Sequence, residues 1–521
     1  MRATNMKRAI SKTQLLLAMV VTMTLLLTPT AFAAAPGITG PTFNLTAQPS
    51  FISEPDGSFV YSWGYGCNGA PLGYAPAAIS SNFCNTMQIP GPTLIVTQGQ
   101  AVTVTLTNNL PNAAGNTSIL FPGFNVATTG GVAGLLTQEA VPGGSVTYTF
   151  TASTPGTRSY YSGTQGDLQV EMGLYGAIIV LPSTIPAACT SGIHASNQTA
   201  QGNWGESDFR LAAAAYNHPG ACYDREYLFQ FSEMDDRIHR EAEAQSTRAC
   251  TGCMSVATEP YVPAYFMING RSMPDLIDPN YAPEYPHQPY NGNPHMHPGE
   301  LTLLRVIGQG RWQHPFHEHG NHVRVLARDG NLILSATDPN SLAGPLLFTT
   351  TTTPGQAMDG IYYWTGKGLN WDPYGHNPTS SDPQAKLTCT PDGNGYNTSA
   401  PAAINYFEWC QDHNKPLQAT PAGDVAGGGP ATLPDPNIFA NGAWFGGSPY
   451  LGPNATVRAV GTTGTTPPSG TVANAPDSDA GFAFMWHSHN EREITTNNIF
   501  PGGMLMMMLV DSREFVIDES N

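Results

Sequence analysis

Basic residues are scarce in this chain. Lys and Arg number 21 against 38 Asp and Glu in 521 residues, and charged residues make up only 11% of the total. So few cations argue against the basic patches that grip nucleic acid and against anionic membranes as partners. Long apolar runs are missing too, with one exception at residues 15–27. That run follows Arg2, Lys7, Arg8 and Lys12 and precedes Ala31-Phe32-Ala33, the layout of a secretory signal over residues 1–33. It is too short for a convincing transmembrane helix. The expectation is an extracytoplasmic protein (secreted, periplasmic or in the cell envelope) with no integral membrane segment after cleavage. Cleavage would remove four basic residues and no acidic one, deepening the formal charge of −17.

Cysteine is also absent where it would matter most: none lies beside the histidine-rich segments described below. The eight are Cys67, Cys84, Cys189, Cys222, Cys250, Cys253, Cys389 and Cys410. An even count in a secreted chain suggests disulfides, whose pairing sequence alone leaves open; nearest neighbours are the expectation. Cys250-Thr251-Gly252-Cys253 could bind metal or exchange disulfides, but no second such pair accompanies it, which favours a structural bridge.

What is abundant is glycine (55) and proline (45), set among runs of Thr, Val, Tyr and Phe. That composition reads as a loop-rich all-β protein. Strands are expected at 93–97, 101–107, 119–124, 145–151, 156–162 and 174–181, then at 227–231, 265–270, 301–307 and 322–327, with a short surface helix over 233–245. The second set repeats the first. Gly99-Gln100 before one strand matches Gly299-Glu300 before another, and Pro142-Gly143-Gly144 matches Pro354-Gly355-Gln356. Tyr160-Tyr161-Ser162-Gly163 matches Trp486-His487-Ser488-His489. Self-similarity of this kind implies two copies of one sandwich: a first domain over 36–185, a linker over 186–222, and a second domain over 223–511. A loop-rich insertion at 366–480 interrupts the second copy, and a loop that long usually covers something or moves.

Five of the fourteen histidines fall in two short segments, His314-Pro315-Phe316-His317-Glu318-His319 and His487-Ser488-His489. Residues two apart on a strand share a face. His317 with His319, and His487 with His489, are therefore same-face pairs, and neutral imidazoles suit copper and zinc. A single histidine is more often a hydrogen-bonded core residue, but four in two pairs favour a metal. His295-Met296-His297 is a further same-face pair. It could lend ligands to this site or form a site of its own, though an exposed loop beside a strand is the simpler reading.

These residues resemble the multicopper oxidase family in its two-domain form. The resemblance is carried by residues 87–110, 173–180, 268–270, 314–320 and 486–504, and it implies two cupredoxin-like Greek-key β-sandwiches. It also implies that His317, His319, His487 and His489 are trinuclear-cluster ligands and that His314 belongs to the mononuclear blue site. The family pattern is broken elsewhere. Ser488 stands in place of the copper-ligating cysteine and Glu493 in place of a histidine, so His314, Ser488 and Glu493 make a degenerate mononuclear site. Leu120-Phe121-Pro122 and Tyr161-Ser162-Gly163 stand where the first domain's histidine pairs would be. A blue centre needs a soft thiolate, and a serine hydroxyl is a hard, weak ligand that stays protonated.

The resulting expectation is a copper-binding protein with fewer than four ions, zinc or no metal being the alternatives. If it is an enzyme, it is a copper-dependent oxidoreductase of metal ions or small phenols, weak or specialised. Two competing readings are a non-catalytic structural or interaction protein of the envelope and a competent oxidase with unconventional ligands. Two-domain relatives often form trimers, so a homo-oligomer is a further expectation.

Overall fold

The structure, a computed structural model, describes residues 35–75, 84, 86–367, 390–411 and 481–517, with the backbone of short strands at Gly447–Tyr450, Thr456–Val457 and Val472–Ala473. The expected signal segment at 1–33, Cys389 and most of the expected insertion at 366–480 lie outside these residues.

Alternation of Val102, Val104 and Leu106 buries one face of the strand Ala101–Asn108, while the threonines between them stay half-exposed. This strand pairs parallel with Thr42–Ser53 and antiparallel with Ser145–Thr151. The opposing sheet pairs Tyr175–Leu181 antiparallel with Gly156–Tyr161 and parallel with Gly91–Thr97. Side chains of both sheets share one core around Trp63, Tyr65, Tyr148, Tyr160 and Ile178. The first sandwich is thus two five-stranded sheets.

The second sandwich repeats that wiring. Leu301–Gly308 pairs parallel with Arg225–Met234 and antiparallel with Ala357–Tyr363. Leu505–Asp511 pairs antiparallel with Gly481–Ser488 and parallel with His295–Met296. The core holds Phe229, Phe316, Tyr362, Trp486 and Met506. The two glycines expected to correspond, Gly99 and Gly299, both take a positive φ (90° and 81°) at the turn into the matching strands.

The sandwiches are stacked, which gives four main sheets among the described residues. Ala177 and Ile179 of the first meet Leu228, Ile307 and Ala357 of the second in a buried apolar contact. Hydrogen bonds cross the same seam, from Tyr175 Oη to Ser232 Oγ (2.7 Å) and from Ser159 Oγ to Gln309 Oε1 (2.7 Å). These buried polar groups fix how one sandwich seats on the other, because each is left unsatisfied if the seating slips.

Three expectations need correction. Residues 119–124 do not form a strand; only Leu120 bridges, to Tyr161. Pro122 has no N–H to donate, and Gly123 at φ 85° turns the chain. The helix begins later than expected, at Asp236, because Glu233 and Met234 remain paired in the strand Arg225–Met234. Nor is it merely a surface helix: Ile238, His239 and Ala242 are buried, and Asp235 caps it by accepting from the Arg237 N–H. The expected linker at 186–222 contains the helix Gly192–Asn203, docked on the second sandwich through His194 and Asn197 on Asp224 (2.8 and 3.0 Å).

Disulfides join Cys67 to Cys84, Cys189 to Cys222 and Cys250 to Cys253, the nearest-neighbour pairing. Cys410 is also disulfide-bonded.

Candidate metal centre

The strand His314–Glu318 lies antiparallel beside Gly481–Ser488, with His317 directly opposite His487. Pleating sends Phe316 and Trp486 into the core and sends His317 and His487 to the other face. The four expected histidines meet there. Ring centroids are 4.8 Å apart for His317–His319 and His317–His489, 5.2 Å for His319–His487 and 5.5 Å for His317–His487. His317 and His487 are buried, His319 is half-buried, and His489 is exposed at the mouth.

Each of the two buried rings is held from behind. His317 Nδ1 lies 2.7 Å from Thr349 Oγ1, and His487 Nδ1 lies 2.8 Å from the Ser488 carbonyl. His319 is fixed through its backbone: its carbonyl accepts from Trp486 Nε1 (2.9 Å) and Tyr362 Oη (3.1 Å). His487 Nε2 and His319 Nε2 are 3.3 Å apart, and one nitrogen from each of His317, His319 and His487 lies within 4.8 Å of the others. A 3.3 Å edge is roughly that between two ligands of a tetrahedral ion with metal–nitrogen bonds of about 2.0–2.1 Å. Burial, and then the neighbouring imidazoles, push the pKa of His317 down to about 4. Burial also lowers that of His487. Both rings are therefore neutral at neutral pH, the form that binds metal.

On the other face His314, Ser488 and Glu493 converge as well, but with a partner absent from the sequence reading. Buried His314 contacts Glu493 Oε2 through Nδ1 (2.9 Å) and Glu233 Oε2 through Nε2 (3.0 Å). Ser488 Oγ donates to the same Glu493 oxygen, and Asn490 Nδ2 donates to the other at 2.8 Å. Glu233 also accepts from the Arg311 and Trp312 N–H groups (2.6 and 2.8 Å). Burial alone would lower the pKa of His314; the two carboxylates outweigh it and raise the pKa to about 9. At neutral pH this ring is an imidazolium with both nitrogens engaged, so it has no lone pair for a metal. The residues at this position do not fit a blue copper centre. Glu233 was legible in one respect: it follows Phe229 and Phe231 at a spacing of two, an acid on the inward face of an apolar strand.

His295 and His297 go elsewhere. His295 Nδ1 pairs with Asp511 (2.6 Å), and His297 Nε2 with Glu206 (2.6 Å). Glu206 and Glu300 are also bound by Arg225, and Arg513 reaches Glu300, so that cluster is a buried ion network with its own cations.

Residues 79–184 match the family model described as multicopper oxidase. Over 98 residues the chain is 37% identical to laccase abr2 of Aspergillus fumigatus, covering 18% of this chain and 16% of that protein. Over 117 residues it is 36% identical to laccase 1 of Metarhizium acridum, covering 22% and 18%. The chain thus spans under a fifth of the length of either relative. Among solved structures, a blue copper oxidase from Nitrosomonas europaea is similar at 15% identity and a TM-score of 0.43, over 90% of this chain and 85% of that one. A copper nitrite reductase from Nitrosomonas europaea is similar at 19% identity and a TM-score of 0.37, over 62% and 84%.

Proposed function

Because residues 79–184 match the multicopper oxidase family model, we propose that the chain binds copper, fewer than four ions, through His317, His319, His487 and His489. The observation that carries this reading is the convergence of four imidazoles from two strands, two of their nitrogens 3.3 Å apart. Such a site offers imidazole nitrogens, which suit copper ahead of the other common divalent ions, with zinc as the alternative. A bound copper would supply a one-electron couple with positions open to water or substrate.

The chain's own residues have distinct parts in this proposal. Thr349 and the Ser488 carbonyl orient His317 and His487, as outer partners of metal ligands do. His489, at the exposed mouth, is the ligand through which solvent and substrate reach the site. The Glu233–His314–Glu493–Ser488 network closes off the opposite face. Without sulfur there, electrons have no thiolate path into the histidine site, so oxidation of metal ions or small phenols is slow or specialised. The acidic chain favours cations over anions at the mouth, and the reading goes with an extracytoplasmic location and a homo-oligomer.

The test is metal analysis and absorption of full-length protein from its native host. Stoichiometric copper, lost in His317→Ala/His487→Ala and without an intense blue thiolate band, is the expected result. Metal that survives the double substitution, or a metal-free wild type, would sink the proposal. The metal-free outcome would favour a non-catalytic role in which the imidazoles only hydrogen-bond one another.

A further inference from the structure

The repeat gives each half of the molecule an equivalent position for this site. Leu120 bridges Tyr161 in the first sandwich as His317 faces His487 in the second. By the matched motifs, Leu120, Tyr161 and Gly163 are the counterparts of His317, His487 and His489. In the first sandwich these three residues line a cavity of about 990 Å³ at the seam between the sandwiches. Where one copy has imidazoles, the other has a space with a leucine, a tyrosine ring and no side chain.

That space has the make-up of a small-molecule pocket. Its volume is at the upper end of the roughly 300–1,000 Å³ typical of sites for drug-sized ligands. Leu120, Leu135, Leu136 and Val170 supply apolar walls. Leu135 and Leu136 are 92% and 64% exposed, an adjacent pair of bare leucines at the mouth. A single exposed leucine is ordinary, but two lining one cavity leave apolar surface for a ligand to cover.

The polar groups decide the ligand's charge. Arg311 is already engaged by Glu259 (2.7 Å) and lies over the Tyr261 ring (4.1 Å). Glu139 and Asp167 add two carboxylates, which accept from Thr164 and Asn116 (2.9 and 3.1 Å) and from Thr258 (2.9 Å). With Arg311, the one cation among the described lining residues, neutralised and two acids beside it, the cavity repels anions.

We propose that this cavity binds an uncharged, largely apolar organic molecule of about two or three rings, independently of the metal site. The probe is 1-aminoanthracene, neutral at pH 7, titrated into the full chain by fluorescence and equilibrium dialysis, with anthracene-2-sulfonate as its anionic counterpart. Gly166 offers a blocking position, because a Cβ there meets nothing within 4 Å. Saturable 1:1 binding is expected, weakened at least tenfold in Gly166→Trp with unfolding unchanged, and weakened likewise in Leu135→Glu/Leu136→Glu. The two leucines are exposed, so that second variant keeps the test decisive if Gly166→Trp fails to fold. The sulfonate should bind at least tenfold more weakly than the amine, and His317→Ala/His487→Ala should bind the amine as wild type does. No saturable binding, binding undiminished in the folded variants, equal affinity for the sulfonate, or loss on the histidine substitutions would each overturn the proposal.

Discussion

The two sandwiches contain the same triad built from different chemistry. In the first, Gln169 Oε1 accepts from Thr117 Oγ1 (2.8 Å) and Ser162 Oγ (2.7 Å). In the second, Glu493 Oε2 faces His314 Nδ1 (2.9 Å) and accepts from Ser488 Oγ. Even the next bond recurs: Thr164 N donates to Ser162 Oγ and Asn490 N to Ser488 Oγ, both at 3.2 Å. The backbone frame places a serine and a second side chain, Thr117 in one half and His314 in the other, on a shared acceptor. An amide makes that knot neutral, whereas two carboxylates make it ionic and hold a protonated histidine. The difference teaches that the frame sets where groups meet, and that one or two side chains set whether the meeting is apolar, neutral and polar, or charged.

Removing an acceptor from each half should separate the two knots most strongly. Glu233→Ala leaves the His314 imidazolium paired with Glu493 alone and strips three donors, His314 Nε2 and the Arg311 and Trp312 N–H groups, of their acceptor. A loss of about 3–5 kcal/mol is expected in urea unfolding. Gln169→Ala breaks only neutral hydrogen bonds, for an expected loss of about 1–3 kcal/mol. Equal losses would mean that the charge in the second half adds nothing.

A smaller effect comes from pH. The folded pKa of His314, about 9, lies above the ordinary value of 6.5. The stability it contributes is full below about pH 6.5 and is lost as pH rises through 9, on the order of 3 kcal/mol in all. Burial also raises the acids Glu54 and Glu318 to about 8, which steepens the decline of every variant alike. The measurement is therefore the difference in unfolding free energy between wild type and His314→Gln from pH 6.5 to 9.5. That difference should shrink as pH rises; a constant difference would show that the ring is neutral in the fold.

The smallest expected effect is a gain. Leu120→His/Tyr161→His places two facing imidazoles on the first sandwich where His317 and His487 stand on the second. Weak copper binding, around the millimolar range, should appear by calorimetry in a background that lacks His317 and His487. No heat above that background would show that the frame alone does not make a site.

Much of this arrangement was legible in the chain. Alternation in 101–107 and 145–151 gave strands whose structural bounds are Ala101–Asn108 and Ser145–Thr151. The same-face rule paired His317 with His319 and His487 with His489, because a strand's side-chain period of two is a local property. Proline chemistry was local as well, and Pro122 should have ended the strand expected through 124. Other features had no local signal. Glu233 reaches His314 across 81 positions in sequence, and an inward acid on an apolar strand announces only that some partner exists. The fates of His295 and His297 turned on Asp511 and Glu206, which lie 216 and 91 positions from the histidines they pair with.

The sequence by itself determined the two-copy β architecture and which histidines share a face, since both follow from short-range periodicity and turn residues. Only the tertiary structure decided that His314 is charged, that the first sandwich's equivalent position is a cavity, and that four imidazoles meet. Those outcomes depend on burial and on partners brought together from distant strands, and no window along the chain contains them.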